Sequence, residues 1–191
     1  FDRASAQRGF QVYSEVCAAC HTVKHAYYRD LKGLGLEPKE IEAIAVDQEL
    51  GYVYYADENH GIRKYHADPA AEDADEQLAE FGLDGFTEDR EGISIYRTGA
   101  GTGYVVVSNQ QDNSFNLYPR EGAAGNAHAH PLLKRVDVST IESDGSEVTP
   151  VALPGFPGGL FVAMSNGRVF HLYAWNDLLA AARPPAPTPA R

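Results

Sequence analysis

Apolar residues recur with two different periods along the chain. Near the start they fall at Phe10, Tyr13 and Cys17, the i, i+3, i+7 spacing of one helix face. Asp2 or Ser5 can cap that helix. A second short helix is predicted from Pro38, a favourable first-turn residue, with Ile41, Ile44 and Ala45 as its apolar face. Beyond it the period becomes that of strands. Residues 51–65, 103–118 and 159–173 align with one another. Each stretch is a Gly, a β-rich run, a polar turn and a second β-rich run ending in Tyr, the pattern of a hairpin. Their starts lie 52 and 56 residues apart. A hairpin unit recurring at about fifty residues predicts propeller blades. Residues 93–97 and 133–138 are further strand candidates, which bring a blade to about four strands. The expected fold is mainly β: a partial β-propeller of about three blades, preceded by a short α-helical segment. Propellers close with roughly four to eight blades. Three would leave open edges, so a fragment of a larger ring, or a partner chain completing it, is expected.

Composition sharpens this division. The 191 residues carry a formal net charge of −11, which disfavours nucleic acid and anionic membrane as partners. Residues 1–45 are neutral, residues 46–181 carry −13, and residues 182–191 carry +2. Three segments are therefore expected: 1–45, 46–181 and a Pro-rich tail at 182–191, which reads as a disordered end or linker. No apolar run is long enough to span a bilayer as a helix. Without an initiator Met or an apolar run behind Phe1-Asp2-Arg3, the chain is expected to be a mature or excised piece.

The two cysteines, Cys17 and Cys20, are followed at once by His21. C-x-x-C-H is the attachment signature of c-type haem. The two thiols add to the porphyrin vinyl groups, and the adjacent His reaches the iron from the proximal side. A zinc site would need two more ligands, and no further Cys exists. A thioredoxin-like pair would sit in a βαβ setting, which the pattern lacks.

The run from Arg3 through Gln11-Val-Tyr-Ser-Glu-Val-Cys17-Ala-Ala-Cys20-His21, with Tyr28-Arg29-Asp30-Leu31 after it, resembles the N-terminal part of cytochrome c1 over residues 1–45. The resemblance implies that Cys17 and Cys20 bind haem c and that His21 is the proximal metal ligand. The family's sixth ligand is a Met far downstream. The single Met here, Met164, stands in a strand-like run of different character, and His25 reads as an exposed loop residue.

The second segment resembles the β-propeller phytases from Val46 to Leu178, corresponding to the C-terminal part of a six-bladed ring. The strings that carry this are Tyr55-Ala-Asp-Glu-Asn-His-Gly-Ile-Arg-Lys-Tyr65, Thr87-Glu-Asp-Arg-Glu-Gly-Ile-Ser-Ile-Tyr96, Ser108-Asn-Gln-Gln-Asp-Asn-Ser-Phe-Asn-Leu-Tyr118, and Phe156-Pro-Gly-Gly-Leu-Phe-Val-Ala163 with its continuation to Trp175. Those enzymes are calcium-dependent phosphatases acting on inositol hexakisphosphate (phytate). Phosphate ester hydrolysis needs an attacking water and neutralised phosphoryl charge, and hard cations held by carboxylates supply the second. Asp57 ends the first hairpin strand, read as an inner one. Asp89 and Glu91 precede a strand at i, i+2 and so point to one side. The resemblance implies Ca²⁺-ligand positions at Asp57, Asp89, Glu91 and Asp144, with Asp57, Asp89 and Glu91 catalytic. It also implies that Ser108, Asn109 and Gln110 place polar groups beside them. Glu58 reads as a solvated turn residue, His128 and His130 as an exposed loop, and Arg120, Lys134 and Arg135 as surface charge.

The expected function is a phytase-like phosphomonoester hydrolase fragment carrying a c-type haem motif, in a periplasmic or secreted setting. The alternatives are a c-type electron carrier of a cytochrome bc-type chain, and a non-functional chimeric or truncated chain.

Overall fold

The computed structural model describes residues 41–57, 60–87 and 89–185. The helix predicted over Phe10 to Cys17, the haem-attachment residues Cys17, Cys20 and His21, and also His25 and Glu58, lie outside the described residues.

Three antiparallel sheets succeed one another along the chain. The first runs β1 (Ile41–Asp47), β2 (Tyr52–Asp57), β3 (Gly61–His66) and β4 (Ala79–Phe81). The second runs β5 (Ile93–Gly99), β6 (Thr102–Asn109), β7 (Ser114–Pro119) and β8 (Lys134–Asp137). The third holds β9 (Ser146–Thr149), β10 (Leu160–Ser165) and β11 (Val169–Ala174). A seven-residue helix, α1 (Trp175–Ala181), follows. The three predicted hairpins are β2–β3, β6–β7 and β10–β11, each an unbroken ladder of six residue pairs. Each sheet is a meander, so a blade is one hairpin with a strand in front and, in the first two, a strand behind.

β6 explains why the blades stack. Its run of Val105, Val106 and Val107 has no polar interruption because both of its faces are buried. Val105 and Val107 pack with Tyr54, Ile62 and Phe81 of the first blade and with Tyr118. Val106 points the other way, to Phe115, Leu117, Phe161 and Trp175. Trp175 stacks on Tyr96 with ring centroids 3.9 Å apart, which fastens α1 to the second blade. Gly103 and Gly159 open β6 and β10 at φ +154° and +94°. A Cβ at either would run into the carbonyl of Tyr96 or Thr149 on the preceding strand.

Three expectations change. Residues 41–47 form strand β1, not a helix: β1 pairs with β2 from Ile41↔Asp57 to Asp47↔Tyr52, and Ala43 and Ala45 pack against the first core. Pairing to a neighbouring strand overrides the helical spacing of Ile41, Ile44 and Ala45. β2 and β6 are second strands, not inner ones; the leading strands meet between blades, with β5 against both β1 and β9. The ordered chain also continues past α1, because Arg183 pairs backbone to backbone with Arg135.

The third blade leaves one face bare. Phe161 and Ala163 point into the core, while the opposite face carries Phe170 and Leu172, 64% and 57% exposed. No helix among the described residues is long and apolar enough to cross a membrane.

Candidate active site

One end of the sheets collects the polar loops. β2, β6 and β10 finish there at Asp57, Asn109 and Ser165, and β5 and β9 begin there. Asp57 is buried, and its carboxylate accepts a hydrogen bond from Arg63 Nε at 2.8 Å. Arg63 is held in turn by Gln77 Oε1 at 2.7 Å.

Asp89 and Asp144 are brought to one place. A short 3-10 turn over Gln110–Asp112 follows β6 and is closed by Asn113 in the left-handed conformation at φ 51°. Gln111 Nε2 donates to Asp89 Oδ2 at 2.5 Å, and Gln111 Oε1 accepts the Asp89 backbone N–H at 2.9 Å. Gln111 Nε2 also donates to Gln110 Oε1 at 2.9 Å, and Gln110 Nε2 donates to Asp144 Oδ1 at 2.6 Å. The two carboxylates are thus the ends of one chain of amides. Gly92 tightens the approach: a Cβ there would lie 2.9 Å from the Asp144 carbonyl. Glu91 stands between these two fixed points in the chain.

Ser108 and Asn109 are the last two residues of β6. Both are buried. Ser108 Oγ donates to Ser143 O at 2.8 Å and fixes the loop before β9. Asn109 Oδ1 accepts the Thr87 N–H at 3.0 Å and fixes the loop before β5. Their work is to hold the two acidic loops in place.

Sequence reasoning missed Arg90, Gln111 and Asp112. Arg90 is buried between the first two blades, donates to Gly82 O at 3.2 Å and covers the Phe86 ring at 4.5 Å. Burial pushes its guanidinium below the ordinary arginine value, and Tyr118, Asp57 and Asp89 push back. The signal was available, since Arg90 sits inside the Asp89-Arg90-Glu91 string. Asp112 accepts from Asn109 Nδ2 at 3.1 Å and pairs with Arg135.

Two other groups differ from expectation. Arg120 is fully buried, with Nε 2.5 Å and Nη2 2.6 Å from the two Asp47 oxygens and Nη2 2.8 Å from Glu49. It is an inter-blade clamp, because β1 ends where β7 ends. His130 is buried, not exposed: Nδ1 donates to Pro119 O at 2.7 Å, so Nε2 accepts from Lys64 Nζ at 3.2 Å.

Among the described residues, no three His, Cys, Asp or Glu side chains converge tightly enough to hold an ion unaided. The donors at this end are nonetheless all oxygens of carboxylates and amides, the chemistry that suits calcium. A shallow groove of about 270 Å³ lies beside Asp144, bordered by Gln110, Glu142 and Arg168. A larger cleft of about 510 Å³, walled by Phe81, Tyr118, His130 and Leu132, contains none of the predicted site residues.

The phytase family profile matches residues 17–176. The chain belongs to the phytase family. It is 29% identical over 151 residues to a 3-phytase of Bacillus subtilis, covering 73% of this chain and 39% of that one. It is also similar to cytochromes c1. It is 44% identical over 50 residues to a mitochondrial cytochrome c1 of Solanum tuberosum and 43% identical over 50 residues to a cytochrome c1 of Rhodospirillum rubrum. Each of those matches covers 26% of this chain, and 19% and 18% of the relatives. This phytase-family chain therefore spans well under half the length of each of these relatives.

Proposed function

We propose that the chain is the C-terminal portion of a calcium-dependent phosphomonoester hydrolase acting on phytate. The observation that carries this is the amide-linked pair Asp89 and Asp144, standing at one end of a fold that belongs to the phytase family. A segment of net charge −13 does not attract a polyphosphate by itself. Ca²⁺, when bound, supplies the positive charge that neutralises the phosphoryl oxygens. Asp89, Glu91 and Asp144, with Asp57 across the blade boundary, would hold it. Glu91 or Asp89 takes a proton from the attacking water as its oxygen bonds to phosphorus. The P–O bond to the inositol breaks, and the departing alkoxide takes up a proton, giving alcohol and inorganic phosphate. Arg90, buried beside Asp57 and Asp89, keeps the carboxylates oriented.

The bare face at Phe170 and Leu172 supports a partner chain that completes the ring. The cytochrome c1-like stretch supports a joined haem-attachment segment, and with it a c-type electron carrier as the second reading. Both parent families suggest a periplasmic or secreted setting.

The deciding experiment is phosphate release from phytate, with and without Ca²⁺, by the parent and by Glu91→Gln. Calcium-dependent release that falls at least 10-fold in Glu91→Gln is expected. Absence of any calcium-dependent release from the parent removes the hydrolase reading and leaves a carrier or an inactive join.

A further inference from the structure

We infer that Lys64 and His130 form an acid-released latch, which holds the loop between β7 and β8 onto the first blade and closes one wall of the larger cleft. Lys64 stands in β3, fully buried, and its Nζ meets that loop at two points. It donates to Ala127 O at 2.7 Å and to His130 Nε2 at 3.2 Å. The ammonium also lies over the Tyr52 ring, 3.8 Å from its centroid. Asp47, the acid whose charge it feels, has both oxygens taken by Arg120. The loop comes as one piece: Ala123 N–H donates to Ala129 O at 2.7 Å, and a Cβ at Gly122 would lie 2.5 Å from Asn126 O. His130 is fixed from its other side, where Nδ1 donates to Pro119 O and the ring lies 4.6 Å from that of Phe81. With Nδ1 donating, the neutral ring has only the Nε2 lone pair to offer, and an ammonium can only donate. A proton on Nε2 would set donor against donor and cation against cation. Among the charged groups around the ring, Lys64 and His128 oppose an imidazolium, and Glu121, exposed at the start of the loop, favours it. His66 packs on Tyr52, and Asp84 and Arg135 line the same cleft. His130 therefore takes up a proton only by leaving, and the loop leaves with it. His130 and Leu132 are walls of the cleft of about 510 Å³, so their departure opens it from one side.

Burial, and then Lys64 and His128, push the latched ring down to about 4, whereas a lifted ring titrates at the ordinary 6.5. Closure is therefore fully supported above pH 6.5 and is lost as pH falls towards 4. Between pH 7 and pH 5 the opening equilibrium should rise about 20-fold. The test is amide hydrogen exchange on the full chain, corrected for the intrinsic pH dependence of exchange. The reporter is the Leu133 N–H, which donates to Leu117 O at 2.9 Å where the loop rejoins the sheet. In the parent, Leu133 should open about 20-fold more at pH 5 than at pH 7. At pH 5 it should also be at least about 10-fold less protected than the slowest amides of β6, which marks a local opening. His130→Gln keeps an acceptor oxygen for Lys64 and carries no titrating group, so its Leu133 opening should not change with pH. Nitrogen NMR of the parent's imidazoles adds a readout that needs no variant: at pH 7 and at pH 5 His130 should be neutral, with its proton on Nδ1. Four results overturn the inference: a rise at Leu133 below about 3-fold, protection of Leu133 equal to that of β6, the same rise in His130→Gln, or a His130 that is charged at pH 5 or protonated on Nε2.

Discussion

Replacing Arg120 by Ala should separate the first two blades energetically. The guanidinium is fully buried and so is Asp47, its main partner, with both carboxylate oxygens engaged at 2.5 and 2.6 Å. Removing one member of a buried pair leaves an uncompensated charge, a loss of about 3–5 kcal/mol. Glu49 is more than a third exposed, so its bond adds little. Asp47 keeps the N–H groups of Leu50 at 3.1 Å and Glu49 at 3.2 Å, which places the expected loss near the lower bound, about 3 kcal/mol. Urea unfolding is the assay. With a slope of about 2 kcal/mol per molar, the midpoint should fall by about 1.5 M. The double variant Asp47→Leu/Arg120→Met, which removes both charges, should recover most of the loss. A loss below about 1 kcal/mol for Arg120→Ala, or a double variant worse than the single, would refute the clamp.

Three further outcomes follow from other positions. Gly103→Ala, at φ +154° against the Tyr96 carbonyl, should cost several kcal/mol and abolish cooperative unfolding, whereas Gly145→Ala, with open space around it, should change stability by less than about 1 kcal/mol. Acid should destabilise the chain in two windows. Burial lowers His130 to about 4, so stability held above pH 6.5 is lost as pH falls from there to 4. For Asp47, burial alone would raise the carboxyl, but Arg120 and the Leu50 and Glu49 N–H groups outweigh it and hold it low. Its contribution therefore persists down to the usual carboxylate range and is lost below it. A single acid transition in urea midpoints measured from pH 7 to 3 would contradict this. Finally, expression with c-type maturation should give a covalent haem absorbance band that vanishes in Cys17→Ala/Cys20→Ala; survival of the band in that variant would remove the haem-attachment reading.

The three hairpins were legible because each is a Gly-led β-rich run, a polar turn and a second β-rich run ending in Tyr. β1 was not, because Ile41, Ile44 and Ala45 suit a helix locally and only the ladder with β2 makes them a strand. The carboxylates were proposed from type and register, but the groups that hydrogen-bond to them were not. Ser108 and Asn109 look like simple polar residues in a string, and only their hydrogen bonds to Ser143 and Thr87 show that they tie two loops to β6. Gln111 and Arg90 look like ordinary polar residues until their partners, 22 residues away for Asp89 and 8 for Gly82, are known. Arg120 reads as a surface charge because its partner lies 73 residues earlier in the chain.

The alternation of Val105, Val106 and Val107 between two cores constrains how such a chain can change over time. Inserting or deleting one residue in β6 exchanges the side chains presented to both neighbours at once, so two interfaces fail from one event. Adding or losing an entire four-stranded unit leaves every remaining alternation in phase and merely relocates the terminal bare face. The blade, and not the residue, is the step by which this architecture can be lengthened, shortened or spliced to foreign sequence.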